Sequence, residues 1–165
     1  MSSLATPSHL HGLVFVVDSA AVSSSIGLTE AAEYLYDVLL ILQKRHTQSK
    51  SSKEPQAIPV LVAANKQDVF SSLPAAIVKA KLEEEIAKIR QTRSKGLLDS
   101  GVGTELDSAG DDEQNWLGQY GSTAFKFAQM EEYGVDVRVA GGNVEGDGDE
   151  QGKVDEWWTW IGEHL

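Results

Sequence analysis

Two short apolar runs punctuate the first half of the chain, GLVFVVD (12–18) and IPVLVAA (58–64). Both are rich in β-branched residues and lack the strict alternation of a half-solvated strand, so each is predicted as a strand buried on both faces. Asp18 and Ser19 close the first run. Between the runs, Leu28, Ala31, Ala32, Leu35, Val38, Leu39 and Leu42 recur at three- and four-residue steps, which predicts an amphipathic helix over 28–45 with Thr29 as its cap. The polar, Ser-rich HTQSKSSKEPQ (46–56) reads as a surface connection. Ile77, Leu82, Ile86 and Ile89 predict a second helix over 73–94, with Pro74 where a helix start tolerates it. Residues 95–115 mix Gly, Ser and Asp without a period and are expected to form a long flexible loop. Phe125 and Phe127 flank a short extended piece, and VDVRVA (135–140) alternates as a third strand near a sheet edge. After an acidic, Gly-rich turn (141–152), Val154, Trp157, Trp158, Ile161 and Leu165 form the apolar stripe of a final helix, with Trp160 off the stripe.

Strands alternating with helices imply right-handed crossovers, hence an α/β fold: a parallel sheet with helices on both faces. At 165 residues and 41% hydrophobic composition the chain suits one domain, read as a polar lead (1–11) and a domain over 12–165 with flexible loops at about 46–57 and 95–115. The formal charge of -11, from 25 acidic and 14 basic residues, opposes a nucleic-acid or anionic-membrane surface. The absence of cysteine removes disulfides and thiolate metal sites, and His9, His11, His46 and His164 are scattered. No apolar run approaches the roughly 20 residues that a spanning helix requires.

In parallel sheets ligands meet the carboxyl ends of the strands. That rim is predicted to gather Asp18 with Ser19, the turn Asn65–Lys66–Gln67–Asp68, and Ala140 to Asn143. An Asp carboxylate at a strand exit can accept two parallel hydrogen bonds from a planar donor pair. Guanine offers such a pair at its ring N–H and exocyclic amine, whereas adenine does not. Lys66 is expected to lay its stem along the base with its ammonium hydrated, Asn65 to tie the turn to neighbouring backbone, and Gln67 to be the free position. Asn-Lys-x-Asp after an apolar strand resembles the guanine-specificity motif of Ras-like GTPases.

The likeness extends to the phrases GLVFVVDSAA, EAAEYLYDVLL, VLVAANKQD, KLEEEIAKIRQTRS and FKFAQM, which resemble the beta subunit of the signal recognition particle receptor. The resemblance covers nearly the whole chain from Leu13 onward. It implies a P-loop GTPase fold and a GTP-binding subunit at the cytosolic face of the endoplasmic reticulum membrane. There it holds the receptor's alpha subunit during cotranslational protein targeting, without direct nucleic-acid contact. It further makes Asn65, Lys66 and Asp68 the base-reading residues, and aligns Gly141, Gly142 and Asn143 with a Ser-Ala-Lys segment whose middle N–H meets the guanine oxygen. Here the Ser hydroxyl and Lys stem of that segment are missing.

No G-x-x-x-x-G-K-[ST] loop occurs in the sequence, and no Asp-x-x-Gly precedes Leu13. The chain is therefore expected to be the C-terminal part of the GTPase domain, holding the guanine-recognition half without the P-loop strand. With no catalytic residue and no metal ligand set of its own, it is expected to be inactive alone, Mg²⁺ belonging with the phosphate half. The acidic run Glu145, Asp147, Asp149 and Glu150 reads as a solvated loop. GLVFVV, left without its neighbour, is expected to be an apolar edge prone to self-association. The alternative is a protein-docking module of the same fold without nucleotide binding, using the Trp160 face or the 95–115 loop.

Overall fold

The computed structural model describes residues 10–48, 57–99, 115–146 and 151–165, with side chains omitted for 95–99. Three strands, β1 (Leu13–Asp18), β2 (Ile58–Asn65) and β3 (Val135–Gly141), form a parallel sheet in the order β1-β2-β3. Leu13 pairs with Val60, and Asp18 with Asn65, so the two strands end level; Ala64 in turn pairs with Gly141. That register brings all three strand exits to one rim.

Helices α1 (Ser25–Thr47) and α2 (Ala75–Asp99) cover one face, where Phe15, Val17, Val60, Val62 and Ala64 meet Leu35, Leu39, Leu82 and Ile86. The opposite face carries α3 (Asp155–Glu163), whose Trp157 and Trp160 pack on Leu61, Ala63 and Ala140. Helices thus cover both faces, as the element order predicts.

β2 is buried along nearly its whole length, as its continuous apolar run requires. β1 is not: Phe15 and Val17 face α1 and α2, but Val14 and Val16 are 43% and 59% exposed. These two valines share the α3 face, beside Leu61 and Ala63, yet α3 lies over β2 and β3 and leaves them uncovered. The apolar run reads as two-sided burial because its composition is right for it; a covering element is what the described residues lack.

Several local expectations are corrected. The cap of α1 is Ser24, whose Oγ accepts from Gly27 N–H at 3.1 Å, while Thr29 lies inside the helix and donates to Glu85 at 2.6 Å. The backbone of α2 continues to Asp99, past the residue where the loop was expected to begin; residues 100–114 lie outside the described ones. The stretch after Phe125 is a 3-10 helix, Phe127–Tyr133, ended by Gly134 at φ 65. On α3 the two tryptophans exchange roles: Trp160 is buried and Trp158 is 66% exposed. The stripe runs through Val154, Trp157, Trp160 and Ile161, because in so short a helix the sheet meets three-residue steps. Trp160 is therefore no free docking face.

Candidate functional site: the strand-exit rim

The rim is held by backbone first. Ser19 N–H donates to Asn65 O at 3.0 Å, Gly142 N–H to Ala64 O at 3.0 Å and Gln67 N–H to Gly142 O at 3.1 Å. Leu73 N–H closes the lead into α2 by donating to Ser19 O at 3.1 Å. On this frame Asn65 adds a side-chain tie, its Oδ1 accepting from Val144 N–H at 3.0 Å. The amide thus joins the second strand exit to the third, as expected of it.

Lys66 holds φ 65, and among the described residues it is the one non-glycine residue with positive φ. Its carbonyl accepts from Val69 N–H at 3.1 Å, and its ammonium lies 2.7 Å from Asp18 Oδ2. The cation is paired across the rim while its side chain stays exposed, a partnership that residue type alone did not announce. Asp18 Oδ1 meanwhile accepts from Ala20 and Ala21 N–H at 2.9 and 3.0 Å. The hydrogen bond from Lys66 holds the Asp18 carboxyl below its ordinary value, against the opposing effect of burial, and the same bond raises Lys66.

Asp68 is exposed, and no described residue bonds its carboxylate. Both oxygens are available to a planar donor pair.

Gln67 is the residue that sequence reasoning passed over. Far from free, its Nε2 donates to Ser19 Oγ at 2.8 Å and to Leu73 O at 2.7 Å. The glycines have packing reasons. A Cβ at Gly142 would lie 2.5 Å from Lys153 O and 2.8 Å from the Trp157 ring, and one at Gly141 would lie 3.3 Å from Gln67 Cγ. The Gly142 N–H, expected to meet a base oxygen, is donated to Ala64 O. Asn143 is bound on both sides, its N–H to Lys153 O at 3.1 Å and its Nδ2 to Glu145 O at 2.6 Å. Of the acidic run, Asp147, Asp149 and Glu150 lie outside the described residues. Among the described residues no cluster suits a metal ion, and no helix is long and apolar enough to cross a membrane.

The rim therefore presents an exposed carboxylate, an ammonium on a left-handed residue and an amide-braced turn, all at the carboxyl ends of parallel strands. It can orient a planar ring bearing adjacent donors. Among the described residues it gathers no cluster of cations for phosphates.

Comparisons with known proteins agree with this architecture. The family model described as signal recognition particle receptor beta subunit matches residues 1–135. Signal recognition particle receptor subunit beta of Saccharomyces cerevisiae is 34% identical over 155 residues, covering 93% of this chain and 55% of that protein. The Chaetomium thermophilum structure titled signal recognition particle receptor SRb-GDP-Mg superposes with a TM-score of 0.76 at 46% identity, over 93% of this chain and 62% of that one. The SRb-GTP/SRX complex from the same organism gives a TM-score of 0.76 at 44% identity, over 100% of this chain and 54% of that one. The chain thus spans little more than half the length of the yeast relative. The family model and the yeast relative identify one family, and the chain belongs to it: the signal recognition particle receptor beta subunits.

Proposed function

We propose that this chain carries the base-reading portion of a guanine-nucleotide site in a receptor subunit for cotranslational protein targeting. The observation that carries the reading is the Asn65–Asp68 turn, in which Asn65 braces the third strand exit while Asp68 stays open to solvent. Asp68 accepts the ring N–H and exocyclic amine of guanine, and Lys66 lies along the base with its head anchored by Asp18. Asn65 fixes the turn, and Gly141 and Gly142 let the third strand exit approach it closely. Because Gly142 N–H is already donated to Ala64 O, its use toward a base oxygen requires that bond to be shared.

GTP is the nucleotide, supported by neighbours titled with GDP and with GTP. The rim fits the base and not the phosphates or Mg²⁺, which this reading leaves to a phosphate-binding segment outside the sequence given. The partner is the receptor's alpha subunit, supported by a neighbour in complex with SRX, and the place of action is the cytosolic face of the endoplasmic reticulum membrane. The exposed Val14 and Val16 support the reading that this is part of a larger sheet.

The test is a base exchange. In a beta subunit comprising this segment and a phosphate-binding loop, Asp68→Asn should shift preference from guanine to xanthine nucleotides by at least about tenfold, because the double acceptor becomes one acceptor and one donor, which match the ring N–H and carbonyl of xanthine. An unchanged guanine preference in competition titrations would remove Asp68 from the pocket.

A further inference from the structure

The proposed pocket is only as selective as the position of Asp68, and Asp68 lies two residues beyond Lys66, whose left-handed backbone an L-residue does not favour. Something beyond the turn must hold it. Asn65 does so from one side, through Val144. On the other side stands Gln67, between Lys66 and Asp68, whose contacts reach every other part of the rim. Its backbone N–H goes to Gly142 O after β3, and its two amide protons go to Ser19 after β1 and to Leu73 before α2. Ser19 is fully buried and is itself held by Asn65 O and Leu73 N–H, so the acceptor does not move with solvent. Gln67 Cγ also lies where a Cβ on Gly141 would come within 3.3 Å, so the side chain fills the space that glycine leaves.

We propose that Gln67 is a positioning residue for base selectivity: it locks the three strand exits together and so fixes where Lys66 and Asp68 point. The inference rests on the reading of the rim as a guanine site. A carboxamide suits the role because its two amide protons reach Ser19 Oγ and Leu73 O at once, and the Leu73 carbonyl can only accept. A carboxylate in its place would repel Leu73 O, and an apolar side chain would leave that carbonyl without its partner.

The test uses the full 165-residue chain. Gln67→Met keeps length and packing while removing both donors; Ser19→Ala removes one acceptor and serves if the first variant folds poorly. Guanosine and adenosine are the probes, at millimolar concentration, followed by saturation-transfer NMR, with amide exchange and melting temperature measured on the same samples. The unaltered chain should favour guanosine. Gln67→Met should bring the guanosine-to-adenosine ratio to within about twofold of one, and should speed exchange of the residue 67 and Gly142 amides by about tenfold, with a modest fall in melting temperature from the unpaired Leu73 carbonyl. Ser19→Ala should move both readouts the same way by less. A lowered melting temperature with an unchanged ratio would make Gln67 an ordinary buried amide and overturn the proposal, as would unchanged ratio and exchange together. If the unaltered chain shows no guanosine preference, the guanine reading itself fails, and amide exchange alone then decides whether Gln67 locks the rim.

Discussion

Lys66 carries the rim's cation on a backbone that costs an L-residue roughly 1–2 kcal/mol relative to the right-handed region. Its pairing with Asp18 helps to retain that conformation, and the pair has a pH signature. The Lys66 hydrogen bond holds Asp18 below its ordinary 3.8, so the bond's contribution to stability is full above that value and is lost as pH falls through the lower folded value. Lys66 is raised above 10.5 by the same bond, so its share is full below that value and is lost as pH rises through the higher folded one. Asp18→Asn should therefore flatten the acid side of a melting-temperature profile, the more so at low salt because the pair is half exposed. A profile identical to that of the unaltered chain would show that the pair contributes nothing. The position of Asn65, Lys66 and Asp68 at a strand exit was legible in the sequence because a short polar turn after an apolar strand is a local pattern. Gln67 and Asp18 were not assigned their roles, because their partners are 48 residues apart in each case: Gln67 meets Ser19, and Lys66 meets Asp18.

At the scale of elements, periodicity located the three strands and the three α-helices among the described residues, but neither 3-10 helix and not every face. β2 is buried as read, whereas β1 required knowledge of what lies above Val14 and Val16. The RQTRS phrase had a likeness but no mechanism until the structure supplied one. Arg90 is buried, donates to Leu117 O at 3.0 Å and Ser122 O at 2.7 Å, and stacks against Trp116 and Phe125. Gln43 grips the same segment from α1, donating to Trp116 O at 2.8 Å and accepting from Gly118 N–H at 2.8 Å. A segment without secondary structure is thus fixed by long polar side chains of two helices, which no periodicity encodes. On α3 the two tryptophans separate by energy. Trp160→Ala should cost about 3–5 kcal/mol by emptying a core site, whereas Trp158→Ala on the solvent side should stay within about 0.5 kcal/mol. Chemical denaturation of both variants checks this, and equal losses would contradict the assigned faces.

For the whole molecule, the proposed site divides a nucleotide's recognition from its binding energy. A base contact without neutralisation of phosphate charge supplies orientation and little affinity. Titration of labelled GTP into the purified chain should therefore give a dissociation constant weaker than micromolar, and tighter binding would show a phosphate site that the rim does not contain. The sheet is also unequal at its two edges. On the α3 face, the β3 side ends in Arg138, paired with Glu156 at 3.1 Å, and Asp136 is exposed on the same strand. The β1 side ends in two bare valines. Charged edges reject added strands and apolar ones accept them. Two copies meeting through β1 across a twofold axis would use up the receptive edge of each and leave only the charged edges outside. Association of the isolated chain should thus be self-limiting at two copies, with mass by light scattering levelling at the dimer and Val16→Lys returning it to the monomer. Closure of this kind would spare the chain the open-ended growth that a sheet with two receptive edges invites.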